Sequence, residues 1–331
     1  MLSQFAAAFR TPDLRNKILF TLGLIAIYRM GAIIPTPGVD YTAIQTCLSL
    51  VEGNSLYGLI NLFSGGALLQ LSVFALGIMP YITASIIIQL LTVVIPRLEA
   101  LRKEGQSGQA KMTQYTRYLT IGLSVLQATA FVSLARTPGQ LFTGCNENLI
   151  PNQSIPLIIT MVIVMTAGAA VLMWFGELIT DRGVGNGMSL LIFVSIIAGM
   201  PGQFWSIYQT RGTFILLLTL AVGVVIIAAV VYVEQAQRRI PVQYAKKMVG
   251  SRLMGGASTY IPLKVNMAGV IPVIFASSLL YIPQLLSTVS GNTNSEWGQF
   301  IARNFSRGTE PLYVLFYVAM IIFFAYFYVS I

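Results

Sequence analysis

Side chains able to make or break covalent bonds are scarce in this sequence. It contains no histidine, so Ser-His and Cys-His nucleophile pairs lack a base, and zinc sites built on imidazole lack a ligand. Asp13, Asp40 and Asp181 are expected in loops, which excludes a pair of aspartates cutting peptides inside a membrane. Arg182-Gly183-Val184-Gly185-Asn186-Gly187 has the glycines of a phosphate-cradling loop, but no lysine follows, and a tight turn is the expected role. Cys47 and Cys145 are expected in loops on one side of a membrane, where thiols can oxidise. Two unpaired cysteines are the simpler expectation, with a disulfide as the alternative. No catalytic group, metal site or cofactor is therefore expected.

Composition explains why chemistry is absent and says what must position the remaining polar groups. Of 331 residues, 56% are hydrophobic and 9% charged, against about 25% charged in soluble domains. A helix needs roughly 20 apolar residues to cross hydrocarbon. Eight such runs lie near residues 18–34, 74–95, 117–135, 156–178, 187–203, 213–233, 267–285 and 311–331. They are continuous, not alternating, so an all-α polytopic membrane protein is expected and not a barrel. The basic N-terminal stretch with Arg10, Arg15 and Lys17 reads as a retained first span, because no small-residue cleavage site follows. Alternating loops hold the basic residues unequally: 15 on the side of the N-terminus, 4 on the other, and Arg29 alone inside a span. Positive residues stay inside, so a cytoplasmic N-terminus is expected. Arg29, in the outer part of its span, is expected to snorkel.

One motif recurs. Gly77-Ile78-Met79-Pro80-Tyr81-Ile82-Thr83-Ala84-Ser85 in the second span parallels Gly269-Val270-Ile271-Pro272-Val273-Ile274-Phe275-Ala276-Ser277 in the seventh, and the two runs travel in opposite senses. Inverted repeats place equivalent helices about an axis in the membrane plane, with the working site at mid-depth. Pairing the second span with the seventh puts five spans in each half, so the sequence, with three spans in its second half, is expected to be a truncated chain. Pro80 and Pro272 lack an N–H and suit a helix start or kink. Residues 61–70, rich in small side chains, are too few to cross; a dipping half-helix and a surface loop both fit. Gln89, Asn186 and Asn266, read as lying in spans, are expected to point into the bundle. The inverted repeat alone would also permit a secondary transporter of a small solute, but no ionisable group lies at mid-depth to couple ions.

Two long stretches resemble the signatures of the SecY family: Leu68 to Leu91, with Gly77-Ile78-Met79-Pro80-Tyr81 at its centre, and Trp174 to Phe193, with Asp181-Arg182-Gly183-Val184-Gly185-Asn186-Gly187. Arg29-Met30-Gly31, Lys103-Glu104-Gly105-Gln106-Ser107-Gly108 and Pro262-Leu263-Lys264-Val265-Asn266 extend the likeness along the whole chain, of bacterial type. The resemblance implies a channel that passes unfolded preproteins across the bacterial plasma membrane and releases transmembrane segments sideways into it. It implies a pore ring of Ile78, Ile82, Met188, Ile192 and Ile274, Met188 standing where isoleucine is common. A narrow apolar waist dewets and blocks ions, yet yields around a polypeptide.

By the same resemblance, residues near 61–70 form a plug, with Asn61, Phe63, Ser64, Gly65, Gly66 and Leu69. Gln89, Asn186 and Asn266 form a polar cluster beside a lateral gate between the second and third spans and the seventh and eighth. Arg238, Arg239, Lys246, Lys247 and Arg252, in a cytoplasmic loop over 234–264, dock the ribosome or the SecA motor ATPase; a plain positive-inside anchor is the alternative. The expected organisation is an N-terminal half, 1–203, and an incomplete C-terminal half, 204–331. SecE, SecG, signal peptides, nascent chains and membrane lipid are the other implied partners.

Overall fold

A computed structural model describes residues 11–50, 64–68, 70–136, 145, 147–243, 247–249, 252–254, 258–277, 279–280 and 310–330. They fall in two compact units, Met1–Pro201 with Ser277–Tyr317, and Gly202–Ala276 with Val318–Ile331.

In the first unit, helix α1 (Pro12–Ile33) opens with a proline in its first turn and Asp13 beside the N-terminal dipole. It stops because Ile34 precedes Pro35 and takes extended backbone (ψ 114°). Short helix α2 (Tyr41–Leu50) follows. Residues 65–68 and 70–78 run through turns before α3 (Met79–Val94). The second span was expected from 74, but the helix begins five residues later, with Pro80 in its first turn. It ends at Ile95, again forced extended by the proline that follows. The charged helix α4 (Pro96–Lys103) then leaves at 101° to α3.

Helix α5 (Gln106–Arg136) is longer than the expected third span. Its buried stripe includes Gly108, Met112, Thr116, Thr120 and Ser124 at four-residue spacing. Thr116, Thr120 and Ser124 each donate their hydroxyl to the carbonyl four residues back, at 2.7–3.0 Å. Small side chains permit close packing, and the back-bonding leaves no unpaired hydroxyl in an apolar setting. Helix α6 (Ile155–Arg182) runs antiparallel to it.

Helix α7 (Gly187–Gln235) holds the fifth and sixth expected spans, 49 residues interrupted at Gly212, whose φ of 79° is not helical. The second unit continues with a ribbon that the all-α expectation did not contain. Strand β1 (Gln237–Gln243) pairs antiparallel with β4 (Ser258–Lys264), and β2 (Lys247–Val249) with β3 (Arg252–Met254). Residues 271–277 are helical, and α8 (Pro311–Ser330) is the last element.

Five of these helices are long and apolar enough to cross a membrane, a sixth if α3 and α4 form one broken span, among the described residues. Phe214, Val224, Val225 and Tyr232 on α7 and Leu315, Phe323 and Tyr326 on α8 are exposed. That much outward apolar surface requires lipid as solvent, so the protein is a multi-pass membrane protein.

The internal repeat has a backbone counterpart. Gly77 (φ 56°) and Gly269 (φ 62°) both adopt the left-handed conformation, which an L side chain disfavours. Each precedes a helix with a proline in its first turn, at Pro80 and Pro272.

Candidate functional site

Four of the expected ring residues share one apolar cluster. Ile78 is buried within it, and Ile82, Met188 and Ile192 pack against it, together with Leu24, Tyr28, Phe74, Leu172, Phe175, Ile179 and Leu191. Helices approach closely there. A Cβ on Gly176 of α6 would collide with the sulfur of Met188, and one on Gly31 of α1 with the Phe74 ring. Ile274, half-buried on the helical stretch 271–277, belongs to the second unit.

The turns that follow the expected plug are stitched to the exit of α1. The Thr36 amide and hydroxyl donate to the Leu71 carbonyl at 3.0 and 2.8 Å, and the Val73 amide donates to the Ile34 carbonyl at 3.0 Å. The Ser64 hydroxyl oxygen accepts from the Leu68 amide at 3.1 Å. Arg29 does not merely snorkel: its Nη1 donates to the Gly65 carbonyl at 3.0 Å. The buried Tyr28 hydroxyl lies 2.6 Å from the Ser195 hydroxyl on α7. Asn61, Phe63 and Leu69 lie outside the described residues.

A second apolar cluster joins α2, the plug-side turns, α5 and α6 through Ile44, Leu68, Leu71, Phe131, Leu149, Ile150 and Met161. Within it Cys47 and Cys145 form a disulfide, with Cα atoms 5.4 Å apart. This corrects the expectation of unpaired cysteines in loops. Cys47 is helical, on α2, and the Asp40 amide bonds the Leu149 carbonyl at 3.0 Å, bringing the two segments side by side. Asp40 itself starts α2, its carboxylate accepting from the Thr42 hydroxyl and amide at 2.6 and 2.9 Å and from the Ala43 amide at 3.3 Å. Those bonds, the Thr42 side chain foremost, hold its pKa below the ordinary aspartate value. Asp13 and Asp181, expected in loops, lie in the terminal turns of α1 and α6.

The three expected gate amides do not all point into a bundle. Gln89 is exposed on α3. Asn186 sits exposed before α7, and its Oδ1 accepts from the Met188 and Ser189 amides at 3.1 and 3.2 Å. An asparagine followed by helix is a cap first. Asn266, in the second unit, precedes its helix: its Nδ2 donates to Glu234 Oε1 at 2.7 Å and its Oδ1 accepts from the Gly269 amide at 3.1 Å. The sequence reading missed Glu234, the acceptor at the foot of the ribbon.

It also missed the pair of Arg117 and Glu177, at the edges of the expected third and fourth spans. The only signal was opposite charge at the matching edges of adjacent spans.

On the ribbon, Arg238 and Arg239 are both exposed. Adjacent strand residues project to opposite faces. Arg238 therefore shares a face with Ile240, Ile261 and Leu263, whereas Arg239 shares the other with Lys264 and stacks over Tyr260 at 4.8 Å. Lys247 and Arg252 occupy positions on β2 and β3, and Lys246 lies outside the described residues.

Comparison with known proteins places this arrangement. The SecY family profile matches residues 72–331. Protein translocase subunit SecY of Streptomyces scabiei is 61% identical over 338 residues, covering 100% of this chain and 77% of its own length. The Mycobacterium bovis protein of the same name is 58% identical over 339 residues, with the same coverage. A solved protein-conducting channel superposes with TM-score 0.53 at 19% identity, over 82% of this chain and 58% of that one. Sec61 in the canine ribosome-channel complex of the endoplasmic reticulum gives the same values. The small-solute transporter alternative finds no support among these matches. Profile, identity along the full chain and shared fold agree: the chain belongs to the SecY family of protein translocase subunits.

Proposed function

We propose that the chain forms the pore of a bacterial plasma-membrane translocon, passing unfolded preproteins outward and transmembrane segments sideways into lipid. Ile78, Ile82, Met188, Ile192 and Ile274 make its waist, and residues 61–70 plug it. The observation that carries this reading is that Ile78, Ile82, Met188 and Ile192 share one apolar cluster, in a family named for translocation. A gap lined by such side chains is too apolar to hold water when empty, so ions are refused, while flexible aliphatic groups give way to a threaded chain.

The N-terminus is cytoplasmic in this reading, by the excess of Arg and Lys on its side. The Cys47–Cys145 disulfide supports the same orientation, because it needs an oxidising outer face. The ribbon then faces the cytoplasm, where Arg238, Arg239, Lys246, Lys247 and Arg252 meet RNA phosphates of the ribosome or acidic groups of SecA. SecE and SecG complete the complex. Signal sequences leave through a lateral opening between the α3–α5 side and the seventh and eighth spans. Gln89 lines that opening, Asn186 caps α7 beside it, and Asn266 pins the turn that precedes the helical stretch 271–277. No bond-making step is assigned to the chain, and its partners supply energy.

Polar residues placed at Ile82 and Ile274 in the reconstituted complex test the waist. Ion leak is expected to rise and export of signal-defective preproteins to increase. Unchanged conductance together with unchanged export would remove the ring.

A further inference from the structure

We propose that Arg29 and Tyr28 are positioning residues that latch the plug segment at Ser64–Gly65 between α1 and α7. This rests on the reading of residues 61–70 as the plug. Tyr28 and Ser195 are both 0% exposed, and Ser64 is 1% exposed, so their polar atoms must be satisfied within the protein. The bonds interlock. The Ser195 hydroxyl donates to the Leu191 carbonyl at 2.8 Å, which leaves its oxygen to accept the Tyr28 proton at 2.6 Å. The Ser64 carbonyl lies 3.5 Å from the Tyr28 hydroxyl, as an alternative acceptor. One residue on, Arg29 donates to the Gly65 carbonyl at 3.0 Å.

Gly65 is what lets the three segments meet. Its φ is +64°, and a Cβ there would stand 2.7 Å from Arg29 Nη1 and 3.2 Å from the Ser195 backbone. Among the described residues Arg29 belongs to none of the ion pairs. Its charge is spent on a backbone carbonyl, and a charged donor makes that bond stronger than a neutral one. Such a latch holds the plug through its backbone carbonyls alone. When a translocating chain pulls the segment away, Arg29 stays near the outer edge of its span and water replaces the carbonyl, so release leaves no charge stranded in hydrocarbon.

The experiment uses the full chain with its natural partner subunits in proteoliposomes, reading resting ion leak and export of a signal-defective preprotein. The variants are Arg29→Met, Arg29→Lys, Gly65→Ala and a deletion of residues 61–70. Arg29→Met and Gly65→Ala are each expected to raise leak by about tenfold, as loss of one charge-assisted hydrogen bond shifts a two-state equilibrium. Arg29→Lys, which keeps a cationic donor, restores part of the seal. If the deletion raises leak while Arg29→Met and Gly65→Ala leave it unchanged, the latch is overturned and the plug stands. If Arg29→Met and Arg29→Lys leak equally, the effect is general loosening and the latch is likewise overturned. A deletion that changes neither reading overturns the plug, and the latch with it.

Discussion

Arg117 on α5 and Glu177 on α6 form a two-pronged ion pair, Nε to Oε1 and Nη2 to Oε2, each at 2.8 Å. The pair binds two long antiparallel helices at the end where the chain has just left the charged helix α4. Planar guanidinium matches carboxylate in this geometry, whereas a lysine would meet only one oxygen. The side chains are 48% and 21% exposed, so solvent screening discounts the attraction.

A double-mutant cycle therefore has a defined expectation. Arg117→Ala and Glu177→Ala each lower thermal stability in detergent by about 1 kcal/mol, and the double variant costs little more than either. Arg117→Lys recovers only part of the loss. Additive losses in the cycle would show that the pair is not coupled.

The Cys47–Cys145 disulfide closes a loop with a sequence separation of 98. Cys47→Ser with Cys145→Ser is expected to destabilise the packing of α2 against Leu149 and Ile150 by about 2–4 kcal/mol. In intact cells, thiol labelling before and after reduction checks the bond. Full labelling without reductant would show it unformed.

At the foot of the ribbon, Asn266 holds Glu234 and the Gly269 amide together. Asn266→Ala removes a hydrogen bond to a charged acceptor, at a cost of about 1.5–3 kcal/mol. Faster amide exchange is expected at Val265, whose amide bonds the Ala236 carbonyl at 3.0 Å, and at Gly269. Glu234→Gln, which keeps an acceptor, has the smaller effect.

Because Arg238 and Arg239 project to opposite faces, they are expected to act unequally. Arg239→Glu, on the face with Lys264 and Tyr260, lowers ribosome binding more and flattens its salt dependence by about one phosphate contact. Arg238→Glu, beside Ile240 and Leu263, has the larger effect on SecA. Equal losses for both partners would show that the faces are not distinguished.

Asp40 gives a pH dependence. Its hydrogen bonds to Thr42 and Ala43 lower its folded pKa, so its contribution to the start of α2 is complete at neutral pH. That contribution fades as pH falls through the lowered folded value. Asp40→Ala removes this acid dependence while leaving stability at low pH unchanged, which thermal melting across acidic pH would read.

The membrane class, most spans and the family were legible in the sequence because they depend on composition, run length and long contiguous signatures. Pro35, Pro80 and Pro96 fix helix ends locally, and Gly77 and Gly269 fix a turn locally, so the repeat could be read from residue order. What failed were inferences about partners. Composition and run length are silent on the bond from Arg29 to the Gly65 carbonyl, the Cys47–Cys145 disulfide, the Asn186 cap and the strand pairing of Gln237–Gln243 with Ser258–Lys264. A side chain's role at these positions is set by a carbonyl, sulfur or strand tens of residues distant. Periodicity reports which face of a helix is apolar, but it carries no term for what that face meets, and hydrogen bonds between distant segments exist only once packing has brought them within 3 Å. The sequence alone decided that this chain lives in lipid; the tertiary structure decided that Arg29 meets Gly65 and Tyr28 meets Ser195.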